Sequence, residues 1–337
     1  MNKKRWGALA IAAGIFIVSI VVNMASMAFS SDFEKTFNSL FLEEMDQPFK
    51  ENVVEDGDPF NKIAVLHVEG VIQDTGDTVS FFESVGYNHR LFMEQLNAVK
   101  EDDSIAGVVL RVNSPGGGVV ESAEIHEKLV EIIEETKKPV YVSMGSMAAS
   151  GGYYISAPAT KIFASPETLT GSLGVILQSI NYSELAEKYG VEFVTIKSGP
   201  YKDILSPTRP VTEEEKNILQ ELINRSYEGF VKVIAEGRGM SESEVRKIAD
   251  GRIYDGRQAK QLNLIDEFGY LEDVIIAMKE DLGIEDAQVI EYEPSFGFES
   301  FFAMSAQRFF HGDVELANLM QLLSRPNSPR LMYLYSE

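Results

Sequence analysis

The chain has 337 residues, is 45% hydrophobic and carries a formal net charge of -22. This length and apolar content predict one large or two modest domains with a substantial core. The negative charge argues against nucleic acid as a partner, because a polyanion would be repelled. The chain has no cysteine, which excludes disulfides, thiolate metal sites and cysteine nucleophiles; no metal or other cofactor is predicted.

The N-terminus combines a basic start with a long uncharged apolar run. Lys3, Lys4 and Arg5 precede Trp6–Ser31, which contains no charged residue. About 20 apolar residues suffice for a helix to cross a bilayer. Residues 1–31 are therefore predicted to be a cytoplasmic stub and single-pass anchor in the cell membrane, with the remaining chain on the extracytoplasmic face. A cleaved signal peptide is the alternative.

Three further regions follow the predicted anchor. Residues 32–61 are mixed and acidic and are predicted to be a juxtamembrane linker, residues 62–295 a folded domain, and residues 296–337 an extension with an apolar tail. In the domain, apolar runs alternate with helical periodicity, which predicts an α/β fold with a largely parallel sheet covered on both faces. The predicted strands are 62–72, 105–113, 139–146, 161–165, 174–179 and 192–198, and the predicted helices between them are 89–103, 119–138 and 183–190.

Beyond Thr208 the pattern becomes helical. Two sites fit the capping box, Thr212 with Glu215 and Ser241 with Glu244, in which each side chain satisfies a free N–H at the other position.

A glycine run, Gly116–Gly118, follows an apolar strand and precedes a predicted helix. Such a turn lets backbone N–H groups approach a ligand, as an oxyanion hole requires. A phosphate-binding loop is the rival interpretation, but the run lacks the lysine and the spacing of such loops. A plain glycine turn also stays open from the residues alone.

Ser150 lies in "AASGGYYIS", between a predicted strand and a helix-like segment. Its side chain is therefore expected at the carboxyl edge of the sheet, where the glycine run also ends and where ligands gather in open α/β folds. Either Ser150 is a nucleophile or the small residues form a packing joint.

A serine nucleophile needs a base, and histidine is scarce in this chain. His126 belongs to an acidic helix and His311 to the C-terminal extension, which leaves a lysine as in Ser-Lys enzymes. An ordinary lysine is protonated at neutral pH, so a lysine base requires apolar surroundings or a cationic neighbour. The residues favour Lys202, in a loop with apolar neighbours, over Lys197.

Together these motifs resemble the short, membrane-anchored form of the bacterial signal peptide peptidases A. The resemblance covers nearly the whole chain and rests on "NSPGG" at 113–117, "MGSMAASGGYYIS" at 144–156, "TGSLGVI" at 170–176, "TIKSGPYKD" at 195–203 and "YDGRQAKQLNLID" at 254–266. It implies the Clp protease/crotonase fold of stacked βαβ units, with the last helices in oligomer contacts.

The resemblance also implies roles for particular residues. Ser150 matches the family nucleophile, Lys202 its general base, Gly117 and Gly151 the oxyanion donors, and Ser172 the serine that orients the lysine. It implies a membrane-bound serine endopeptidase that degrades cleaved signal peptides and other apolar peptides. It further implies a homo-oligomeric ring in which neighbouring protomers complete each active site.

Two other functions fit the same fold: a crotonase-like acyl-CoA enzyme and a non-catalytic membrane scaffold. The tail "LMYLY" adds a separate hypothesis, because it is an apolar peptide of the kind this site should accept. The C-terminus is expected to enter a neighbour's cleft and to be trimmed there or to act as a plug.

Overall fold

The computed structural model describes residues 49–75, 87–294 and 331–335, together with the single helical residue Gly14. The chain divides into two compact units, one of residues 1–50 and 293–318 and the other of residues 51–292 and 319–337. The predicted anchor lies outside the described residues except for Gly14. None of the helices in the described part of the chain has the length and apolar character that crossing a bilayer requires.

A nine-stranded, mostly parallel sheet organises the second unit. The strands are β1 (Phe49–Glu55), β2 (Asp58–Glu69), β3 (Ile105–Ser114), β5 (Val140–Ala149), β6 (Lys161–Ala164), β7 (Leu169–Gly171), β8 (Ile253–Asp255), β9 (Glu267–Phe268) and β10 (Ala287–Pro294). Their order in the sheet is β1-β10-β2-β3-β5-β6-β9, with β7 beside β5 and β8 antiparallel to β7. A second sheet holds only β4 (Gly116–Gly118) and β11 (Met332–Leu334).

Eight α-helices occur in the described residues. They are α1 (His89–Glu101), α2 (Val119–Glu131), α3 (Gly151–Ser156), α4 (Ser183–Lys188), α5 (Glu213–Arg238), α6 (Glu242–Ile248), α7 (Gly256–Gln261) and α8 (Leu271–Leu282). Both predicted capping boxes form, at the N-termini of α5 and α6. The helix predicted over 119–138 ends in a π-turn, Ile132–Thr136, because Lys137 adopts a left-handed conformation with φ 64°.

The sheet is covered on both faces, which explains why its strands are almost continuously apolar. Ala64, Leu66 and Val68 of β2 pack in a large cluster with α1 and α2. Ile63 and Val65 of the same strand point the other way and pack with α8. Because side chains alternate along a strand, β2 contributes to two cores at once. The predicted α/β architecture with a parallel-rich sheet is confirmed.

Several predicted boundaries are wrong. Two predicted strands do not form: segment 174–179 makes a single bridge at Ile176, and segment 192–198 has no strand. Segment 192–198 finds no ladder partner within the described residues, and Ile196 is 97% exposed. Conversely, β1 already begins at Phe49, inside the expected juxtamembrane linker, and β8, β9 and β10 interrupt the region expected to be helical.

Candidate active site

Ser150 occupies a strained turn between β5 and α3. Its φ of 52° and ψ of -114° lie outside the regions that non-glycine residues ordinarily adopt. The Ser150 N–H donates to Gly171 O at 2.8 Å, which ties the turn to β7. The side chain is buried, and its Oγ has no hydrogen-bond partner among the described residues. A strained, unpartnered serine at a strand-to-helix turn is the geometry of a nucleophile elbow.

The glycine strand β4 lies beside this turn, and its close contacts with neighbouring backbone require glycine. A Cβ on Gly117 would lie 1.8 Å from the carbonyl oxygen of Ile72, which accepts from Gly118 N–H on the same edge. Gly116 has φ +100°, and a Cβ there would lie 2.6 Å from Gly151 N. Only glycine lets β4 approach both neighbours this closely.

The C-terminal tail pairs with the free edge of β4. Strands β11 and β4 run antiparallel, with Tyr333 opposite Gly117. Hydrogen bonds flank that pair, from Val119 N–H to Leu331 O at 3.4 Å and from Tyr335 N–H to Pro115 O at 2.9 Å. The tail thus lies as an extended peptide in the cleft of its own chain.

The register brings the Tyr333 carbonyl to the predicted oxyanion donors. Hydrogen-bonded pairs recur every second residue in an antiparallel ladder, so the Gly117 N–H faces Tyr333 O. A Cβ on Gly116 would lie 2.0 Å from Tyr333 O and 2.6 Å from Gly151 N, so these two atoms share one small space. Of the two predicted oxyanion donors, Gly117 therefore faces the Tyr333 carbonyl, and the N–H of Gly151, the residue after Ser150, lies close to the same carbonyl.

The other edge of the tail pairs with the segment that was predicted as a strand over 174–179. Ile176 N–H donates to Met332 O, and Met332 N–H donates to Ile176 O, both at 3.0 Å. A peptide in this cleft is thus hydrogen-bonded on both edges, which is the binding mode of β-augmentation. Main-chain pairing of this kind holds a peptide regardless of its sequence.

An aromatic pocket receives the Tyr333 side chain, which is 2% exposed. Its ring stacks on Tyr154 with centroids 4.9 Å apart and lies 4.6 Å from the ring of Phe230. Its hydroxyl donates to Ser226 O at 3.0 Å, at the end of the pocket. Burial raises the pKa of Tyr333, so the phenol stays protonated and donates. The pocket is thus built for a large side chain with an apolar body.

A cavity of about 490 Å³ lies beyond the carbonyl of Tyr333, where the tail continues. Its lining residues include Leu334, Tyr335, Ser172, Ile176 and Asp250. The cleft therefore has room for side chains on both sides of the carbonyl that faces Gly117.

Ser172, predicted to orient the lysine, stands close to the nucleophile. Ala149 and Gly171 are register partners in adjacent parallel strands, so Ser150 and Ser172 leave those strands at the same level. Ser172 also has positive φ, 50°, and its N–H donates to Arg252 O at 2.7 Å. The structure thus brings together Ser150, Gly151, Gly117 and Ser172.

Lys202 is not brought to Ser150 within the chain. It is exposed, and its ammonium makes no hydrogen bond or ion pair with any described residue. The loop that carries it is nevertheless ordered by Asp203, whose carboxylate accepts from Arg209 and from Lys197 at 2.6 Å. Lys197, the other candidate base, is therefore engaged in an ion pair.

Arg209 connects this loop to helix α5. Its guanidinium donates to both carboxylate oxygens of the buried Glu215, which also closes the capping box with Thr212. Hydrogen bonds from Arg209 lower the pKa of Glu215 to about 2 and hold the pKa of Asp203 well below its usual range. The lysine loop is thus tied to the N-terminus of a long helix by two ionised carboxylates.

No histidine in the described part of the chain is hydrogen-bonded to Ser150. Burial lowers the pKa of His126, whose ring lies 5.3 Å from that of Tyr154, and no hydrogen bond joins it to Ser150. His311 falls outside the described residues. Sequence reasoning missed the pocket residues Phe230 and Ser226, because their distance along the chain from Ser150 conceals their contact with the tail.

The arrangement as a whole defines a serine hydrolase with a Clp-type parallel fold. Profiles of known families agree: peptidase family S49 matches residues 133–285, and Clp protease matches residues 83–170. A protein of Enterococcus faecium that is named as a signal peptide peptidase SppA is 40% identical over 345 residues, with 99% of each chain covered. The chain belongs to peptidase family S49 and is a serine peptidase.

More distant relatives share only part of their length with this chain. Protease 4 of Haemophilus influenzae is 33% identical over 243 residues, which cover 68% of this chain and 37% of the relative. The chloroplastic serine protease SPPA of Arabidopsis thaliana is 32% identical over 225 residues, 66% of this chain and 33% of the relative. These peptidase relatives favour neither the acyl-CoA enzyme nor the scaffold.

Proposed function

We propose that the protein is a membrane-anchored endopeptidase that degrades cleaved signal peptides and other apolar peptides through a Ser150–Lys202 dyad. The observation that carries this proposal is the tail, an extended apolar peptide whose Tyr333 carbonyl faces the Gly117 N–H, close to Gly151 and the unpartnered Ser150. In a substrate bound in the same way, the residue before the scissile bond would occupy the place of Tyr333. The relative named as a signal peptide peptidase supports the substrate class.

The proposed reaction gives each of these groups a step and adds Lys202 as the base. The neutral Lys202 amine takes the Ser150 hydroxyl proton while Ser150 Oγ attacks the substrate carbonyl carbon. The oxyanion is held by the N–H groups of Gly117 and Gly151. The Lys202 ammonium then protonates the leaving amine as the C–N bond breaks. Neutral Lys202 next takes a proton from a water that attacks the acyl ester, and it returns that proton to Ser150 Oγ as the ester C–O bond breaks and the acid product leaves. In this scheme Ser172 positions the lysine amine.

The lysine is proposed to come from a neighbouring protomer in a homo-oligomeric ring. Ser150 has no base among the described residues of its own chain, and Lys202 is exposed. The segment leading to Lys202 carries an apolar surface that a second copy would cover, with Tyr189 and Val194 each 80% exposed and Ile196 97% exposed. Burying this surface would also remove water from around the amine, which favours its neutral form.

The anchor and location are part of the same proposal. Residues 1–31 have the charge pattern of a single-pass segment with a cytoplasmic N-terminus. The catalytic domain would then stand on the extracytoplasmic face of the cell membrane, next to the apolar peptides that signal peptidase leaves behind.

Mixing inactive variants tests the dyad and the shared site together. Ser150→Ala and Lys202→Ala are each expected to reduce cleavage of a quenched fluorescent peptide bearing "PRLMYLY" by at least about 1000-fold. Mixed before assembly, they should regain part of the activity, because some sites then pair an intact serine with an intact lysine. Lys188→Ala, which removes an exposed lysine of α4, is the matched control and should retain activity.

Covalent labelling distinguishes the possible failures. A fluorophosphonate should label the wild type, and not Ser150→Ala, in the presence or absence of coenzyme A. Labelling that persists in Ser150→Ala would reject the nucleophile. If the wild type is labelled but the mixed variants recover no activity at any ratio, the serine and the lysine act within one chain.

A further inference from the structure

Ser122 is a buried hydroxyl next to the site that the reaction just proposed does not use. It lies on α2, one turn after the glycine strand, and is 0% exposed. Its Oγ has no hydrogen-bond partner in the described part of the chain, a state it shares only with Ser150 Oγ there. Two unpartnered hydroxyls at one site require an explanation, because a buried polar group without a partner is destabilising.

The helix offers Ser122 an ordinary partner that it does not take. A serine inside a helix can donate to the carbonyl four residues earlier when it does not point to solvent. Ser156, equally buried in α3, does so and donates to Gly152 O at 2.7 Å. Ser122 therefore differs from a serine of the same burial and secondary structure, and its hydroxyl is directed elsewhere.

The direction is given by the space above Gly151. A Cβ on Gly151 would lie 2.7 Å from Ser122 Oγ, 3.1 Å from Gly117 N and 3.1 Å from Tyr333 O. The missing Cβ thus leaves a small space bordered by the Ser122 hydroxyl, an oxyanion donor and the carbonyl oxygen of the bound peptide. A side chain larger than hydrogen at position 151 would fill it.

We infer that Ser122 is a catalytic residue that donates a third hydrogen bond to the oxyanion. In the ground state the planar carbonyl is held by Gly117, and the Ser122 hydroxyl is unpartnered. As the carbonyl carbon becomes tetrahedral its oxygen moves and gains negative charge, and the hydroxyl turns to meet it. A hydrogen bond made only in the transition state raises kcat and leaves substrate binding unchanged. The inference rests on the proposed peptidase reaction.

Ser122→Ala tests the inference with Ser156→Ala as its matched control. With the full-length protein and the "PRLMYLY" peptide, Ser122→Ala should lower kcat about 10-fold or more and change KM less than 2-fold. Its affinity for a peptide aldehyde ending in tyrosine, which forms a tetrahedral adduct, should fall by a similar factor. Thermal unfolding should be unchanged or later, because an unsatisfied hydroxyl is removed. Ser156→Ala should show the reverse: earlier unfolding and unchanged kcat.

A purely structural role would give a different pattern. If Ser122→Ala unfolds earlier and keeps its kcat and aldehyde affinity, the inference is overturned. Ser122→Cys, which keeps the shape but donates weakly, should also lose kcat and provides a second variant if alanine disturbs the helix. If wild type is not acylated by fluorophosphonate, the proposed function itself fails; if both wild type and Ser122→Ala are acylated at equal rates, only the role of Ser122 fails.

Discussion

The amide of Gly117 and the carbonyl of Tyr333 face each other across an antiparallel pair in which each edge of the tail has a partner. This pairing aligns one carbonyl of the tail with the amide of Gly117. The main-chain hydrogen bonds of the cleft do not depend on the side chains of the peptide, whereas the aromatic pocket binds one particular side chain.

Gly117→Ala should abolish this pairing. Its Cβ would lie 1.8 Å from Ile72 O, a backbone atom that cannot rotate away, so β4 must shift. We expect kcat/KM to fall at least 100-fold through the misplaced oxyanion donor. Gly118→Ala is the control, because its Cβ meets the carboxylate of Glu121, a side chain that can rotate. Equal activities of the two variants would contradict the assignment of Gly117.

Tyr154→Leu should change selectivity more than rate. The Tyr154 ring stacks on Tyr333 at 4.9 Å, and such ring pairs contribute about 0.5–1.5 kcal/mol beyond the area they bury. For peptides with tyrosine before the scissile bond, KM should rise about 3- to 10-fold, whereas peptides with leucine there should be affected less. The measurement is the ratio of kcat/KM for the two peptides; an unchanged ratio would place the pocket outside the substrate site.

Removing the tail should free the cleft. Truncation after residue 330 is expected to lower the apparent KM for added peptide several-fold, because an intramolecular competitor is lost. Tyr333→Ala should act in the same direction, since the buried ring is the tail's anchor. Intact-mass spectrometry of wild type and Lys202→Ala checks whether the tail is also cleaved. An unchanged KM with identical masses would show that the tail does not compete in solution.

Acid should release the lysine loop before it unfolds the domain. The pKa of Glu215 is lowered to about 2 from an ordinary 4.5, chiefly by Arg209. The stability that ionised Glu215 contributes is therefore complete above pH 4.5 and is lost as pH falls toward 2. The pKa of Asp203 is lowered as well. Limited acid proteolysis should therefore cleave residues 191–209 first. In Arg209→Gln this cleavage should already occur at neutral pH, with kcat reduced and KM little changed.

Arg246→Gln is the matched control for Arg209→Gln. Arg246 also donates to two carboxylates, Glu228 and Glu242, but joins surface helices only. It should leave both cleavage and activity unchanged. If both variants behave alike, the loop does not depend on the Arg209 network.

Local sequence signals predicted four of the nine strands, β2, β3, β5 and β6, and the proximity of Ser150 to the glycine strand. The strand before Ser150 and the glycine run before α2 are read from adjacent residues, and parallel strands necessarily bring their ends to one edge. The nearness of Ser150 to the glycine strand could therefore be predicted, whereas the oxyanion roles of Gly117 and Gly151 stay a prediction. The pocket could not be predicted, because Phe230 and Tyr333 reach Tyr154 through folding over long chain distances.

The failed strand predictions have a physical cause. Segment 192–198 alternates as a strand does, yet a strand requires a neighbour to take its N–H and C=O groups, and none lies beside it among the described residues. All seven residues of this segment are exposed, so its apolar side chains have no buried environment among the described residues. An alternating pattern alone does not specify the neighbouring strand that a sheet requires.

The backbone of Ser150 has a thermodynamic consequence for the whole fold. Its φ of 52° and ψ of -114° suit glycine, and holding a side chain there costs about 1–3 kcal/mol. Ser150→Gly should therefore unfold at a higher temperature than wild type, whereas Ser150→Ala keeps the strained geometry and should gain little. Calorimetry on the three proteins would measure how much folding free energy the domain gives up to hold its nucleophile ready.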